Sequence, residues 1–164
     1  MARRRWLPEF FRDEAVPAAD MVTPNQFELE WLTGRKISGL EDAIEACQVL
    51  RQQGPETVIC TSLDRADASD AMIETLLVNA DGAWLAETTR LEAELFGAGD
   101  LFAALFLGHW LDTRDPAEAL SRAVSGTGVV LAETDRQGGG ELALIAAQHE
   151  MVQPPSLATV KKVR

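Results

Sequence analysis

Cationic side chains are scarce in the body of this 164-residue chain. Lysine and arginine total 15 against 26 aspartates and glutamates, a formal charge of −11. Seven of those cations lie at the ends: Arg3, Arg4, Arg5 and Arg12 at the start, Lys161, Lys162 and Arg164 at the finish. The anionic remainder is a poor match for a nucleic acid backbone, so no nucleic acid is expected among its partners, and any bound phosphate must be neutralised locally. Cysteine is limited to Cys47 and Cys60. Both fall in segments that read as helix and strand, which argues for buried thiols in a reducing compartment over a disulfide. The longest apolar run, Leu101 to Leu107, is far short of the ~20 residues a bilayer requires. MARRRW is followed by the polar PEFFRDE, where a signal peptide would have its apolar core. A cytoplasmic protein without membrane partners is the expectation. His109 and His149 are too isolated for a metal site, the tryptophans at 6, 31, 84 and 110 are too scattered for a base-stacking platform, and the absence of GxxxxGK[ST] excludes a P-loop.

What is present suits one folded domain over residues 1–164, with 46% hydrophobic and 25% charged residues. The first twenty residues have no clean period. Met21 and Val22 read as a short strand closed by Thr23 and Pro24, and NQFELEWLTG reads as a helix stopped by Gly34. A second helix is expected from Ser38, with a capping box from Ser38 to Glu41, and with Leu40, Ala43, Ile44, Cys47 and Leu50 at helical spacing. TVICT, Thr57 to Thr61, is β-branched and apolar, as in a buried strand. MIETLLVNADGAWLAET reads as two strands joined at Asp81-Gly82. GAGDLFAALFLGHWL continues as a helix expected to be buried on most sides, and Asp115, Pro116 and Glu118 open another that runs to about Glu133. ELALIAAQHEM reads as a short last helix and VQPPSLATVKKVR as an extended tail. Strands alternating with helices, plus one hairpin, give an α/β layered domain with a mixed sheet.

Two stretches carry the chemistry. In FGAGDLFAALFLG, Gly97 and Gly99 allow a tight turn with bare backbone, and the helix that follows aims unpaired N–H groups and its positive dipole end at one point. An anion fits there, and Asp100, in the first turn, is favoured in its ionised form and placed to act as a base. The same residues also suit a glycine turn followed by a plain helix cap. In TPNQFELE, Asn25 and Glu28 stand three apart at a helix start, which suits either a capping box or a carboxylate gathering a hydrated Mg²⁺ near phosphates. Thr61 and Ser62 end the strand before them, with hydroxyls that reach phosphate oxygens or simply meet solvent.

TPNQFELEWLTG, VICTSL and FGAGDLFAALFLG, in that order and spacing, resemble the C-terminal half of the pyridoxal kinases of the ribokinase-like superfamily. QGPETVICTSL and LIAAQHEMVQP extend the resemblance from about Pro8 to the tail. It implies a layered α/β/α fold, truncated, with a mixed and mostly parallel sheet and a β-hairpin, and without the half that carries most pyridoxal contacts. It implies ATP-dependent phosphorylation of the 5′-hydroxymethyl group of pyridoxal or a related B6 vitamer, with ATP and Mg²⁺ required. By resemblance Asp100 is the base, and Gly97, Ala98 and Gly99 form the anion hole. Asn25 and Glu28 attend Mg²⁺ and phosphates, with Glu28 holding the metal through water. Thr61 and Ser62 contact phosphate, Thr23 contacts the nucleotide, and Thr88, Thr89, Arg90 and Leu91 lie along it. Two departures stand out: the segment from Trp84 to Gly97 is shorter than usual, and Phe96 stands where Asn or Val is common. An exposed sheet edge predicts a homodimer or other association. An inactive ATP-binding remnant, and a hydroxymethylpyrimidine or sugar kinase of the same superfamily, are the alternatives.

Overall fold

The structure is a computed structural model and describes residues 6–65, 68–69, 71–90 and 96–164. In chain order its elements are α1 (Trp6–Phe10), a π-helical turn (Phe11–Ala15), α2 (Val16–Ala18), β1 (Met21–Val22), α3 (Gln26–Thr33), α4 (Leu40–Arg51), β2 (Thr57–Leu63), β3 (Met72–Asn79), β4 (Gly82–Thr89), α5 (Ala98–Thr113), α6 (Pro116–Arg136) and β5 (Val160–Lys162). The strands form one sheet in the order β1-β2-β3-β4-β5. β1 is parallel to β2, with Met21 opposite Thr57 and Val22 opposite Val58. β5 is antiparallel to β4, with Trp84 opposite Lys162 and Ala86 opposite Val160. β3 and β4 are joined by Ala80 and Asp81 alone, a connection open only to antiparallel neighbours. The α/β character and the mixed sheet are as expected. The crossover through α3 and α4 returns the chain to a parallel neighbour. The chain divides into two compact units, Met1–Asp67 with Leu76–Ala83, and Ala68–Thr75 with Trp84–Arg164.

In the first unit, α3 and α4 pack on each other and on β2. Ala43, Ile44, Cys47 and Leu50 of α4 and Val58, Ile59 and Cys60 of β2 are fully buried. That is the stripe the helical spacing marks. α3 ends as expected at Gly34, whose φ of 68° no other residue type adopts as readily. α4 begins later than the Ser38 to Glu41 box requires. The Asp42 carboxylate accepts from the N–H groups of Ser38 (3.0 Å) and Gly39 (3.3 Å), so Asp42 and not Glu41 closes the first turn. The hairpin turn likewise sits one residue before Asp81-Gly82, because Asn79 Oδ1 accepts from Asp81 N at 2.8 Å and forms the turn itself. The lead-in, without a clean period, is helical from Trp6 to Ala18. Gly54 receives it: a Cβ there would lie 2.5 Å from the carbonyl oxygen of Pro17.

In the second unit, α5 packs on α6, and α6 on β5. Phe102 and Phe106 are buried, and Phe102, Phe106 and Trp110 stack in turn with centroids 6.1 and 6.5 Å apart. Leu107 and Leu111, however, are 49% and 55% exposed, so α5 buries one stripe where burial on most sides was expected. α6 opens as read, with Asp115 Oδ1 accepting from Ala117 N and Glu118 N, and it continues to Arg136. ELALIAAQHEM does not form a helix. It makes separate turns, Ala147 N to Ala143 O and Met151 N to Ala147 O, because α6 holds the segment at both ends. Thr134 Oγ1 accepts from Ala143 N, and Met151 O lies against Gly126. Among the described residues no helix is long and apolar enough to cross a membrane.

Candidate active site

In the first unit, the ends of β1 and β2 are tied together. Thr61 N donates to Pro24 O at 2.9 Å, Asn25 and Thr61 form a parallel bridge, and Asp64 N donates to Gln26 Oε1 at 2.8 Å. Thr23, Asn25, Thr61 and Ser62 thereby share one strand-end region at the N-terminus of α3, the place where open α/β sheets bind ligands. The capping box is complete. Asn25 Oδ1 accepts from Glu28 N, and Glu28 Oε2 accepts from Asn25 N, each at 2.9 Å. These bonds use one oxygen of each side chain, so the Asn25 amide retains its two N–H donors and Glu28 a second carboxylate oxygen. Capping and ligand binding are therefore compatible.

Ser62 has φ of 51°, a left-handed conformation that a non-glycine residue holds only where its surroundings impose it. It is exposed, as is Glu28, while Thr23, Asn25 and Thr61 are half-buried. Burial, aided by the Glu28 charge, pushes the Cys60 thiol up to about 12. Burial and Cys60 likewise push Cys47 well above its ordinary value. Neither thiol is a nucleophile at neutral pH. Among the described residues no cluster of three or more His, Cys, Asp or Glu side chains could cage a metal. A single exposed carboxylate instead suits Mg²⁺ that keeps most of its water, so Glu28 fits the role.

In the second unit, Gly97 with φ of 87° turns the chain into α5. The first helical bond is Leu101 N to Gly97 O at 3.0 Å. The N–H groups of Ala98, Gly99 and Asp100 lie in the first turn of α5, where N–H groups have no acceptor within the helix itself. Among the described residues nothing lies within 4 Å of a Cβ built on Gly99. Asp100 is exposed in the first turn of α5. At the end of β4, Thr88 is half-buried and Thr89 exposed. Arg90 is turned along β3, its N–H donating to Ala71 O and its Nη2 to Met72 O. Leu91 lies outside the described residues. A residue the motifs do not flag is Gly128 of α6, where a Cβ would stand 3.9 Å from Thr88 Oγ1. The available signal was SGTG inside a helix, since an interior glycine costs about 1 kcal/mol and needs a reason.

The sequence profile of the family described as phosphomethylpyrimidine kinase matches residues 5–142. Pyridoxal kinase PdxY of Rubrobacter xylanophilus is 48% identical over 161 residues, covering 98% of this chain and 56% of that relative. The PdxY of Deinococcus radiodurans is 44% identical over 163 residues, covering 96% and 55%. Among solved structures, pyridoxal kinase from Leishmania donovani in complex with ADP and ginkgotoxin matches with a TM-score of 0.87 at 26% identity, over 98% of this chain and 56% of that one. The chain thus spans about half the length of the curated relatives it matches. With the family profile matched over most of its residues and a fold shared with pyridoxal kinases, this chain belongs to the phosphomethylpyrimidine kinase family.

Proposed function

We propose that this chain is the nucleotide-binding and catalytic half of a pyridoxal kinase, which moves the γ-phosphoryl group of ATP to the 5′-hydroxymethyl group of pyridoxal or a related B6 vitamer. The observation that carries the reading is the start of α5, where the exposed Asp100 carboxylate stands in the first turn, beside the N–H groups that a helix leaves without an internal partner. In this reading the Asp100 carboxylate takes the hydroxymethyl proton as that oxygen forms its bond to the γ-phosphorus and the bond to the β–γ bridging oxygen breaks. The N–H groups of Ala98 and Gly99, with the turn at Gly97, hold the charge on the transferring group, in an oxyanion-hole manner. Asn25, Thr61 and Ser62 donate hydrogen bonds to phosphate oxygens. Thr23, Thr88 and Thr89 contact the nucleotide, with Arg90 and Leu91 following them. Glu28 holds hydrated Mg²⁺, which when bound neutralises phosphate charge that so acidic a chain cannot neutralise itself.

The reading includes a need for the pyridoxal side of the pocket, supplied by further polypeptide or by a partner, and association through the β1 edge of the sheet. The two buried thiols fit a reducing, cytoplasmic setting. In an assembly competent for turnover, Asp100→Ala is expected to lower kcat by about 10² to 10⁴, the range for loss of a general base. MgATP affinity should stay within about twofold. Near wild-type turnover in a kinase assay would remove Asp100 from the base role. A second reading is an ATP-binding module without activity. Supplementing the chain with the missing half of a relative separates the two. The family's description also keeps hydroxymethylpyrimidine as an acceptor to be assayed beside pyridoxal.

A further inference from the structure

The segment from Ala143 to the end of the sequence is bound to α6 as a strap. Thr134 takes Ala143 N, and Gly126 lies under Met151 O. Farther along, two serines one helical turn apart grip both backbone groups of a single residue. Ser121 Oγ donates to Ala158 O at 2.6 Å, and Ala158 N donates to Ser125 Oγ at 2.7 Å. Ser125 Oγ in turn donates to Ser121 O at 2.8 Å, which fixes its lone pair towards the strap. Two residues later the strap becomes β5 and pairs with β4 at Ala86, Leu85 and Trp84. Ala86 is followed on the same strand by Thr88, whose hydroxyl faces the α6 backbone at Gly128.

We infer that Ser121 and Ser125 are positioning residues for the nucleotide-contacting end of β4. By holding Ala158 from both sides they set the register in which β5 meets β4, and a slip of one residue would turn every β5 side chain to the opposite face. A strand of three residues has too few ladder bonds to fix its own register, so the clamp on α6 must supply what the pairing lacks. The same helix carries Gly128, where a Cβ would come within ordinary contact distance of the Thr88 hydroxyl, so the clamp and the neighbour of Thr88 lie on one element. The link to nucleotide affinity rests on the function proposed above, whereas the link to β4 does not.

The test uses the 164-residue chain with Ser121→Ala and Ser125→Ala combined, and Ser125→Ala alone in case the pair does not fold. In a folded variant, amide exchange over residues 84–90 is expected to rise by roughly tenfold, as for a local opening eased by one hydrogen bond. MgATP affinity, measured by calorimetry well below the melting temperature, is expected to fall about three- to tenfold. Ser125→Thr, which keeps the hydroxyl, should restore both. Unchanged exchange over 84–90 overturns the clamp whatever the nucleotide does. Faster exchange with unchanged MgATP affinity overturns its role in positioning and leaves a purely structural strap. If the unaltered chain binds no MgATP, the functional reading has failed instead, and the exchange measurement alone then decides the clamp.

Discussion

Glu28 caps a helix with one oxygen and, in the proposed function, holds a cation with the other, and the two tasks can be separated by substitution. Glutamine at this position still accepts from Asn25 N, since a capping box works with Glu or Gln, but it carries no charge. Glu28→Gln is therefore expected to leave stability within about 0.5 kcal/mol of wild type while raising the Mg²⁺ concentration needed for ATP binding by roughly tenfold, the loss of one charge-assisted contact. Glu28→Ala should lose the cap as well. Titrating Mg²⁺ against ATP binding and melting both variants checks the split. Cys60 gives a prediction of opposite character. Its thiol titrates near 12 in the folded chain against an ordinary 9.0, so the folded state keeps a proton that the unfolded chain releases. Stability is then full below pH 9 and falls as pH rises towards 12. Denaturation midpoints at pH 7 and pH 10, with thiol labelling at neutral pH only after unfolding, check it. The Asn25-to-Glu28 capping box and the place of Asp100 in the first turn of a helix were legible in the sequence because both lie in residue type and spacing. The left-handed backbone of Ser62 was not, since nothing in a serine announces a φ that only its neighbours impose.

Among the elements, those bounded by a strong local signal were read nearly to the residue: α3 by Asn25 and Gly34, α6 by Asp115 and Pro116. Those held from outside were not. The lead-in helix has no periodic face of its own, and Phe10 and Phe11 remain exposed on it. The segment after the glycines has a helix-like sequence, but its anchors on α6 leave it in separate turns. The two glycines of α6 make this dependence on tertiary contact measurable. A Cβ on Gly126 would collide with Met151 O and stand 3.1 Å from a Leu105 methyl, whereas among the described residues one on Gly128 meets just Thr88 Oγ1, at an ordinary 3.9 Å. Alanine raises helix propensity equally at both. Gly126→Ala should nevertheless destabilise by about 1–3 kcal/mol through overpacking against backbone, while Gly128→Ala should stabilise by up to about 1 kcal/mol. Urea melts of the two variants decide the matter, and equal effects would show that the strap does not press on α6.

For the chain as a whole, the two edges of the sheet are finished differently. β5 closes one edge with consecutive lysines, Lys161 reaching Glu87 at 3.6 Å and Lys162 lying over the Trp84 ring at 5.1 Å. Charged side chains of this kind are a common guard against edge pairing. β1 forms the other edge with two uncharged residues, Met21 and Val22, and carries no charged side chain of its own. Leu7, Phe10, Phe11 and Trp31, in the same unit as β1, are also exposed. A net charge of −11 opposes self-association in solution, so the outcome depends on whether edge and apolar surface outweigh repulsion that salt screens within about 10 Å at 0.1 M. If the chain is half of a kinase, light scattering should detect self-association that grows with salt concentration. Adding the separately produced remaining half of a relative should then replace it with a defined heterodimer and bring pyridoxal phosphorylation with it. A chain that stays monomeric at all salt concentrations would contradict the unguarded edge. A heterodimer that binds MgATP but leaves pyridoxal unphosphorylated would favour the inactive remnant over the half-enzyme, because every group assigned to the chemistry on this chain would then be present and insufficient.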